Sequence, residues 1–246
     1  MSVSTYASHA GTEHRRFTIL SPNRGKRAAE IWFFLFLAVC IPVQTYITSK
    51  ISYAHYNDLL LDAQGLVMGF GTWLGASLLR AKEDRAKPFY EVYGFKFGCF
   101  LFIWAAIGGY LGTEPWYSVL HGHFAFNTEF NPNNVPFFML PMTIAVFGGY
   151  ATFLGVIFRV VWWGYERIKP GFVPDFIVKF LLFIPIAMIM PILETMATTG
   201  KTYCFDDSAG EWGLNVFVYG AWHFAALPFF TTSTKSRARA SPGCPS

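Results

Sequence analysis

Six long apolar segments constrain this chain more than any other feature of its sequence. They cover residues 31–49, 59–79, 92–111, 137–158, 176–197 and 212–230. Each is close to the roughly 20 residues that a helix needs to cross the hydrocarbon core of a bilayer. Lipid cannot hydrogen-bond to backbone amides, and the chain has no alternating strand pattern, so each segment is expected to form a transmembrane helix. The second segment is the weakest because it contains Asp62 and Gln64.

The composition supports the same conclusion. Hydrophobic residues make up 53% of the chain and charged residues only 14%, whereas a soluble domain carries about 25% charged residues. We therefore predict an all-α fold, a polytopic membrane helix bundle with about six transmembrane helices and the lipid bilayer as its partner. The basic residues are explained as topology determinants that face anionic lipid, so we expect no nucleic-acid partner.

Lys and Arg crowd into alternate loops of this predicted bundle. Fifteen of them lie before the first segment, in the second and fourth loops and in the tail, against two in the three other loops. Cytoplasmic loops of membrane proteins carry such an excess, so both termini are predicted to be cytoplasmic. The chain then divides into a cytoplasmic arm (1–29), a transmembrane domain (30–231) and a disordered tail (232–246) rich in Ser, Pro and Arg.

The carboxylate of Glu194 lies about one turn from the outer end of the fifth segment, in 191-PILETMATTG-200. An unpaired charge there is costly, so we expect protonation, a hydrogen-bonded partner, a wet cavity, or a place in a solvated interfacial ring. Pro185 and Pro191 loosen the same helix, as is common beside cavities in membrane bundles. Two loops are expected on this side, 112-GTEPWYSVLHGHFAFNTEFNPNNVP-136 and 198-TTGKTYCFDDSAGE-211.

Several other residues have an ordinary explanation beside a functional one. His121 and His123 lack a third clustered ligand, so no metal site is predicted. His223, alone in the sixth segment, is expected to be a hydrogen-bonded core residue rather than a haem ligand. Asp206 and Asp207 could share a proton, could be solvated loop acids, or could cap the N-terminus of a helix. The glycines of 69-GFGTWLG-75 and 108-GGYLG-112 are expected to permit close helix packing.

An ordered set of short stretches in this chain resembles the cycloeucalenol cycloisomerases, membrane enzymes that open the cyclopropane ring of cyclosterols. The resemblance spans roughly residues 20 to 230. Its elements are 20-LSPNRGKRAAEIWFFLF-36, Lys96, Gly109, Tyr110, Thr113, Tyr117, Val119, Leu120, 133-NNVP-136, 193-LET-195, Tyr203, Asp207, Ser208 and 228-PFF-230. Family members generally continue after the last element with another hydrophobic segment, which this sequence lacks.

The resemblance implies a sterol isomerase that needs no cofactor. Ring opening protonates the methylene carbon and removes a proton from a neighbouring ring carbon, giving an obtusifoliol-type product without oxidation. A carboxylic acid kept neutral by apolar surroundings suits the first step, and position in the sequence suggests Glu194 for it. Asp207 is expected to be the base or a pairing partner of Glu194.

The substrate-binding residues are also inferred from position. Aromatic faces of Tyr110, Trp116 and Tyr117 could stabilise positive charge. Asn133 and Asn134 could bind the sterol hydroxyl, or could form an ordinary helix entry before a proline.

Two other functions fit the same sequence. The chain could be another sterol- or lipid-modifying isomerase, or it could be a small-molecule transporter or lipid-binding membrane protein. Sterol chemistry would place it in the endoplasmic reticulum membrane of a eukaryote.

Overall fold

Helices dominate the computed structural model, which describes residues 17–50, 57–124, 128–168, 173–198, 203–205 and 210–231. They are α1 (Arg24–Lys50), α2 (Asp58–Leu78), α3 (Tyr93–Leu101), α4 (Gly108–Leu120), α5 (Met139–Ile168), α6 (Asp175–Thr198) and α7 (Gly210–Thr231). A π-helix, Phe102–Ile107, joins α3 to α4, and short 3-10 helices cover Lys82–Asp84, Phe89–Glu91 and Pro132–Asn134. The predicted arm up to residue 16 and the predicted tail (232–246) lie outside the described residues.

Four helical stretches in the described part of the chain are long and apolar enough to cross a membrane. They are Arg24–Tyr46, Tyr93–Glu114, Pro132–Ile168 and Asp175–Ala197. The largely helical fold predicted from the sequence is therefore confirmed, and these four helical stretches have the length and composition of membrane spans. Helices α2 and α7 cover the second and sixth predicted segments but are not among these four.

Two helices extend beyond the apolar segments that predicted them. Helix α4 continues to Leu120 and ends at His121, whose left-handed backbone has a φ of 47°. Trp116 and Tyr117 therefore lie on this helix, whereas the sequence had suggested that they lie on a loop. Helix α5 continues to Ile168, which places Arg159 on the helix as well. Apolar length marks where a helix can enter lipid, and the helical hydrogen bonds continue into polar sequence.

A small antiparallel sheet joins the two loops that were expected on the outer side. Strand β1 (Gly122–Phe124) pairs with β2 (Tyr203–Phe205), with His123 opposite Cys204. The sheet connects the end of α4 to the segment between α6 and α7. An all-α prediction did not anticipate these strands, which are only three residues long.

Glycines allow α2 and α5 to approach closely. Gly65 and Gly69, one turn apart on α2, lie directly against the backbone of Phe138 and Pro141, where any Cβ would collide with a carbonyl group. Small residues at this spacing let two helices pack backbone to backbone in a membrane. The expectation of close packing holds for Gly69 and also for Gly71, Gly75 and Gly108, which lie against side chains of other helices. It is wrong for Gly109 and Gly112, where a Cβ would meet nothing within 4 Å.

A buried ion pair ties the start of the chain to α5. Glu30, which is 2% exposed, accepts hydrogen bonds from both terminal nitrogens of Arg159 at 3.0 and 3.1 Å. The Ser21 amide donates to the same carboxylate at 2.7 Å, and Arg159 Nε donates to the Ile19 carbonyl at 2.9 Å. This two-pronged geometry is among the strongest side-chain contacts in proteins. We call these four residues the Glu30 clamp.

The loop after α2 is attached to the start of α1. The buried carboxylate of Asp84 lies so close to Gly25 that any side chain there would collide with it. A helix N-terminus carries partial positive charge, so it attracts a carboxylate. Asp84 also pairs with Lys87 of its own loop. The contact between Asp84 and Gly25 thus holds the charged loop against the start of α1, the helix that also carries Glu30 of the clamp.

Replacing Gly65 with alanine should destabilise the protein by about 1–3 kcal/mol, because overpacking at a close helix contact forces the backbones apart. The matched control is Gly164→Ala on α5, where a Cβ has open space. That change should be neutral or stabilising by up to ~1 kcal/mol, since alanine favours helix. Thermal unfolding in detergent micelles measures both variants, and equal melting temperatures would refute the close-packing account.

Glu30→Gln should cost about 3–5 kcal/mol, because it leaves the Arg159 guanidinium buried without its counter-charge. Glu83→Gln is the control, since Glu83 pairs with Arg24 on the exposed surface, where ion pairs contribute at most about 1 kcal/mol. The measurement is the melting temperature of each purified variant. A similar shift in both would show that Glu30 contributes no more than a surface ion pair.

Candidate functional site

Glu194 is held between the last two helices. It lies on α6, in the turn after Pro191, and its side chain is half-buried. The hydroxyl of Tyr219, on α7, donates a hydrogen bond to Glu194 Oε2 at 2.7 Å. Of the alternatives considered for this carboxyl, the structure supplies the hydrogen-bonded partner. A polar group away from water needs such a partner to avoid a large desolvation cost.

A second polar contact lies one turn away. Asn215 Nδ2 of α7 donates to Thr195 Oγ1 of α6 at 3.3 Å, and Thr195 is buried. Asn215 and Tyr219 are four residues apart and therefore lie on the same face of α7. The two contacts bind α6 to α7 beside Glu194.

His223 continues the same face of α7 by one more turn. It is fully buried, and its Nδ1 lies 3.0 Å from the backbone carbonyl oxygen of Tyr219. The prediction of a hydrogen-bonded core histidine is confirmed. Aromatic rings of three helical elements surround it, including Phe147 on α5 and Trp104 in the π-helix.

The polar face of α7 was missed in the sequence, although a signal was present. Asn215, Tyr219 and His223 recur every four residues within an otherwise apolar segment. That spacing places three polar side chains on one stripe of a helix, facing a neighbour and not lipid. A search for polar residues at helical spacing would have found the partner of Glu194.

Four of the five predicted substrate-binding residues meet where α4 faces the turn before α5. Asn133 Nδ2 donates to the Tyr110 carbonyl at 2.8 Å, and the Tyr117 hydroxyl donates to the Asn134 carbonyl at 2.7 Å. Both asparagines have left-handed backbones, with φ of 55° and 58°. Asparagine tolerates that conformation better than most residues. These contacts assign the pair a structural part, while binding of a hydroxyl stays a prediction.

The fifth residue, Trp116, packs in an aromatic group at the small sheet. Its ring lies 5.2 Å from that of Phe124 and 6.3 Å from that of Phe205. Burial raises the pKa of the neighbouring Tyr117 hydroxyl, so it remains a neutral donor at physiological pH. Asp207, the predicted base, lies outside the described residues, two positions after β2.

A small cavity lies at the Glu30 clamp. Its lining includes Lys26, Glu30, Tyr93 and Thr152. The residues that line it belong to α1, α3 and α5, so Glu194 and Tyr219 are not part of this cavity. Within the described ranges, no three His, Cys, Asp or Glu side chains cluster closely enough to hold a metal ion.

The hydrogen bond between Tyr219 and Glu194 should couple their contributions to stability. In a double-mutant cycle with Tyr219→Phe and Glu194→Gln, we expect a coupling energy of about 0.5–3 kcal/mol, the range for residues in direct contact. Thermal or chemical unfolding of the two single variants and the double variant in detergent gives the value. Additive effects would mean that the two side chains do not interact in the folded protein.

Comparisons with known proteins provide no relative from which a function could be transferred. No protein-family model matches the sequence, and neither the curated proteins nor the solved structures gave a match. The function therefore has to be argued from the residues of this chain.

Proposed function

We propose that this chain is a membrane-embedded isomerase that opens the cyclopropane ring of cycloeucalenol-type sterols without a cofactor. The observation that carries the proposal is the half-buried Glu194 carboxyl held by the Tyr219 hydroxyl between two apolar helices. A carboxyl in such surroundings can retain its proton and donate it to a carbon atom, as buried catalytic acids do. The resemblance to the cycloeucalenol cycloisomerases supplies the substrate class.

The reaction needs one acid and one base. Protonation of the ring methylene breaks one cyclopropane bond and creates a methyl group, with positive charge left on the ring carbon. Loss of a proton from the adjacent carbon then forms the double bond, so the overall change is an isomerisation. Glu194 is the proposed donor, and Tyr219 is a positioning residue that fixes its carboxyl. Asp207 remains the proposed acceptor.

Aromatic side chains near this end of the bundle suit the charge that develops. Tyr110, Trp116 and Tyr117 lie on α4, which contacts α7. The faces of such rings attract positive charge most strongly where water is excluded. We assign them to stabilisation of the cationic transition state, and Asn133 and Asn134 to the rim of the site.

The proposed topology has six spans with both termini in the cytoplasm. Helix α2 packs against α5 through Gly65 and Gly69, and α7 packs against α6 through the polar contacts of Glu194 and Thr195. Both helices are thereby integrated with helices of membrane-spanning length. The excess of Lys and Arg in alternate loops sets the orientation. In a eukaryote we place the protein in the endoplasmic reticulum.

A direct assay tests the proposed reaction. Purified protein in detergent, or membranes from yeast that express it, are incubated with cycloeucalenol. The sterols are then separated by chromatography and identified by mass spectrometry. We expect a product of unchanged mass and altered retention without added nucleotide, metal or flavin. A protein that is inactive in this assay but carries solute or ion flux in vesicles would instead be a transporter.

Glu194→Gln should abolish turnover while leaving expression and folding nearly intact, because glutamine preserves the shape and loses the acidic proton. Glu114→Gln is the matched control, since Glu114 is an exposed carboxylate at the outer half of α4. It should retain the wild-type rate. The measurement is the initial rate with cycloeucalenol as substrate. A near-normal rate for the Glu194 variant would show that Glu194 is not the proton donor.

A further inference from the structure

One buried ring nitrogen has no hydrogen-bond partner. His223 is 0% exposed, and none of the described residues donates a hydrogen bond to its Nε2. Its other nitrogen, Nδ1, lies 3.0 Å from the Tyr219 carbonyl oxygen, which can only accept. In the neutral imidazole Nδ1 therefore carries the proton, and Nε2 presents a lone pair. Buried polar atoms without partners are rare in native proteins, and each needs an explanation.

The surroundings of this lone pair are aromatic. The ring of Phe147 stacks on His223 at 5.2 Å, and the rings of Trp104, Tyr150 and Tyr219 lie at 5.7, 6.0 and 4.6 Å. No hydrogen bond or ion pair joins His223 to an acidic side chain among the described residues. The result is an aromatic shell around Nε2, an acceptor that none of those residues uses.

The π-helix beside His223 is a second observation that indicates a functional site, and it is independent of the unpartnered nitrogen. Trp104 lies in the π-helix Phe102–Ile107, which interrupts an otherwise α-helical stretch from Tyr93 to Leu120. Such π-helical turns are rare and occur frequently at functional sites. Here the irregular turn places the Trp104 indole perpendicular to the imidazole, with an angle of 87° between the two rings.

We propose that His223 Nε2, rather than Asn133 or Asn134, accepts the hydrogen bond of the single hydroxyl of an apolar alcohol. A ligand with one donor on a hydrocarbon body matches one acceptor in an aromatic shell. Further polar groups on the ligand would be buried without partners, which is costly. A cationic donor would lack a counter-charge at this position. The hydroxyl site stands on the geometry alone, and only the identification of the alcohol as a sterol rests on the proposed function.

The most exposed ring beside the aromatic shell is that of Trp222. Trp222, next to His223 on α7, is 38% exposed and stacks on Trp104 at 6.0 Å. Its indole covers Gly108, where a Cβ would collide with it. Displacement of this one ring would open a route from the lipid-facing surface to the shell. We assign Trp222 to the entrance of the site.

A competition experiment tests the hydroxyl site. The full-length protein in lipid nanodiscs is equilibrated with tritiated cholesterol, which has no cyclopropane ring, and the label is displaced with cholesterol or with its methyl ether. The ether has the same body but no donor. Wild type should bind the alcohol about tenfold more tightly, the usual order for one hydrogen bond to a buried acceptor.

His223→Phe should abolish this preference, since phenylalanine keeps the ring and lacks the lone pair. His123→Phe, on β1, should keep it. Failure of wild type to bind cholesterol, equal binding of alcohol and ether, or a preserved preference in His223→Phe would each overturn the proposal. Conversion of cycloeucalenol is measured separately. If the protein prefers the alcohol to the ether but does not convert cycloeucalenol, only the isomerase is refuted. If it converts cycloeucalenol and His223→Phe still prefers the alcohol, only the hydroxyl site is refuted.

Discussion

Side chains that cannot reach water must find partners inside the bundle, and this requirement organises the structure. Glu30 is paired with Arg159 by two hydrogen bonds, and Glu194 receives one from Tyr219. Each contact joins two different helices: the first joins α1 to α5, which are distant in sequence, and the second joins the consecutive helices α6 and α7. An acidic group left alone in hydrocarbon would cost several kcal/mol. The two carboxyls therefore specify which helices are neighbours, at two different places in the bundle.

Close backbone approach is the second constraint, and it complements the first. Apolar side chains do not by themselves select a partner helix in lipid, because lipid tails are equally apolar. Gly65 and Gly69 select α5 for α2 by removing side chains where the carbonyl groups of Phe138 and Pro141 must lie. Helix α2 is thus positioned by glycines, whereas α7 is positioned by the hydrogen bonds of Asn215 and Tyr219.

The sequence predicted the helices better than their contacts, for a physical reason. Apolar length is a local property, so every predicted segment is largely helical, and the helices differ from the segments at their ends, as at Trp116 and Tyr117. Glu194 was singled out because a carboxyl in an apolar run is conspicuous by itself. Its partner Tyr219 was not singled out, because a tyrosine in a membrane helix has no evident role until the facing helix is known. Glu30 was overlooked because it lies at the boundary between the basic arm and the first apolar segment, and its burial depends on Arg159, which is distant in sequence. The π-helix is likewise invisible in composition.

A ligand held at both His223 and Glu194 would have its orientation fixed by α7. Tyr219, which contacts Glu194, precedes His223 by one helical turn, a rise of about 5.4 Å. A rigid multi-ring body separates its hydroxyl from its reacting carbon by a constant distance, so anchoring the hydroxyl at one turn determines which carbon faces the carboxyl at the next. Binding energy at the hydroxyl would then be used to position the reacting centre, which is how remote contacts raise the rate of a chemical step. Under this arrangement, loss of the hydroxyl contact would lower turnover more than its share of affinity suggests, because the substrate could slide along α7 and present the wrong carbon to the acid.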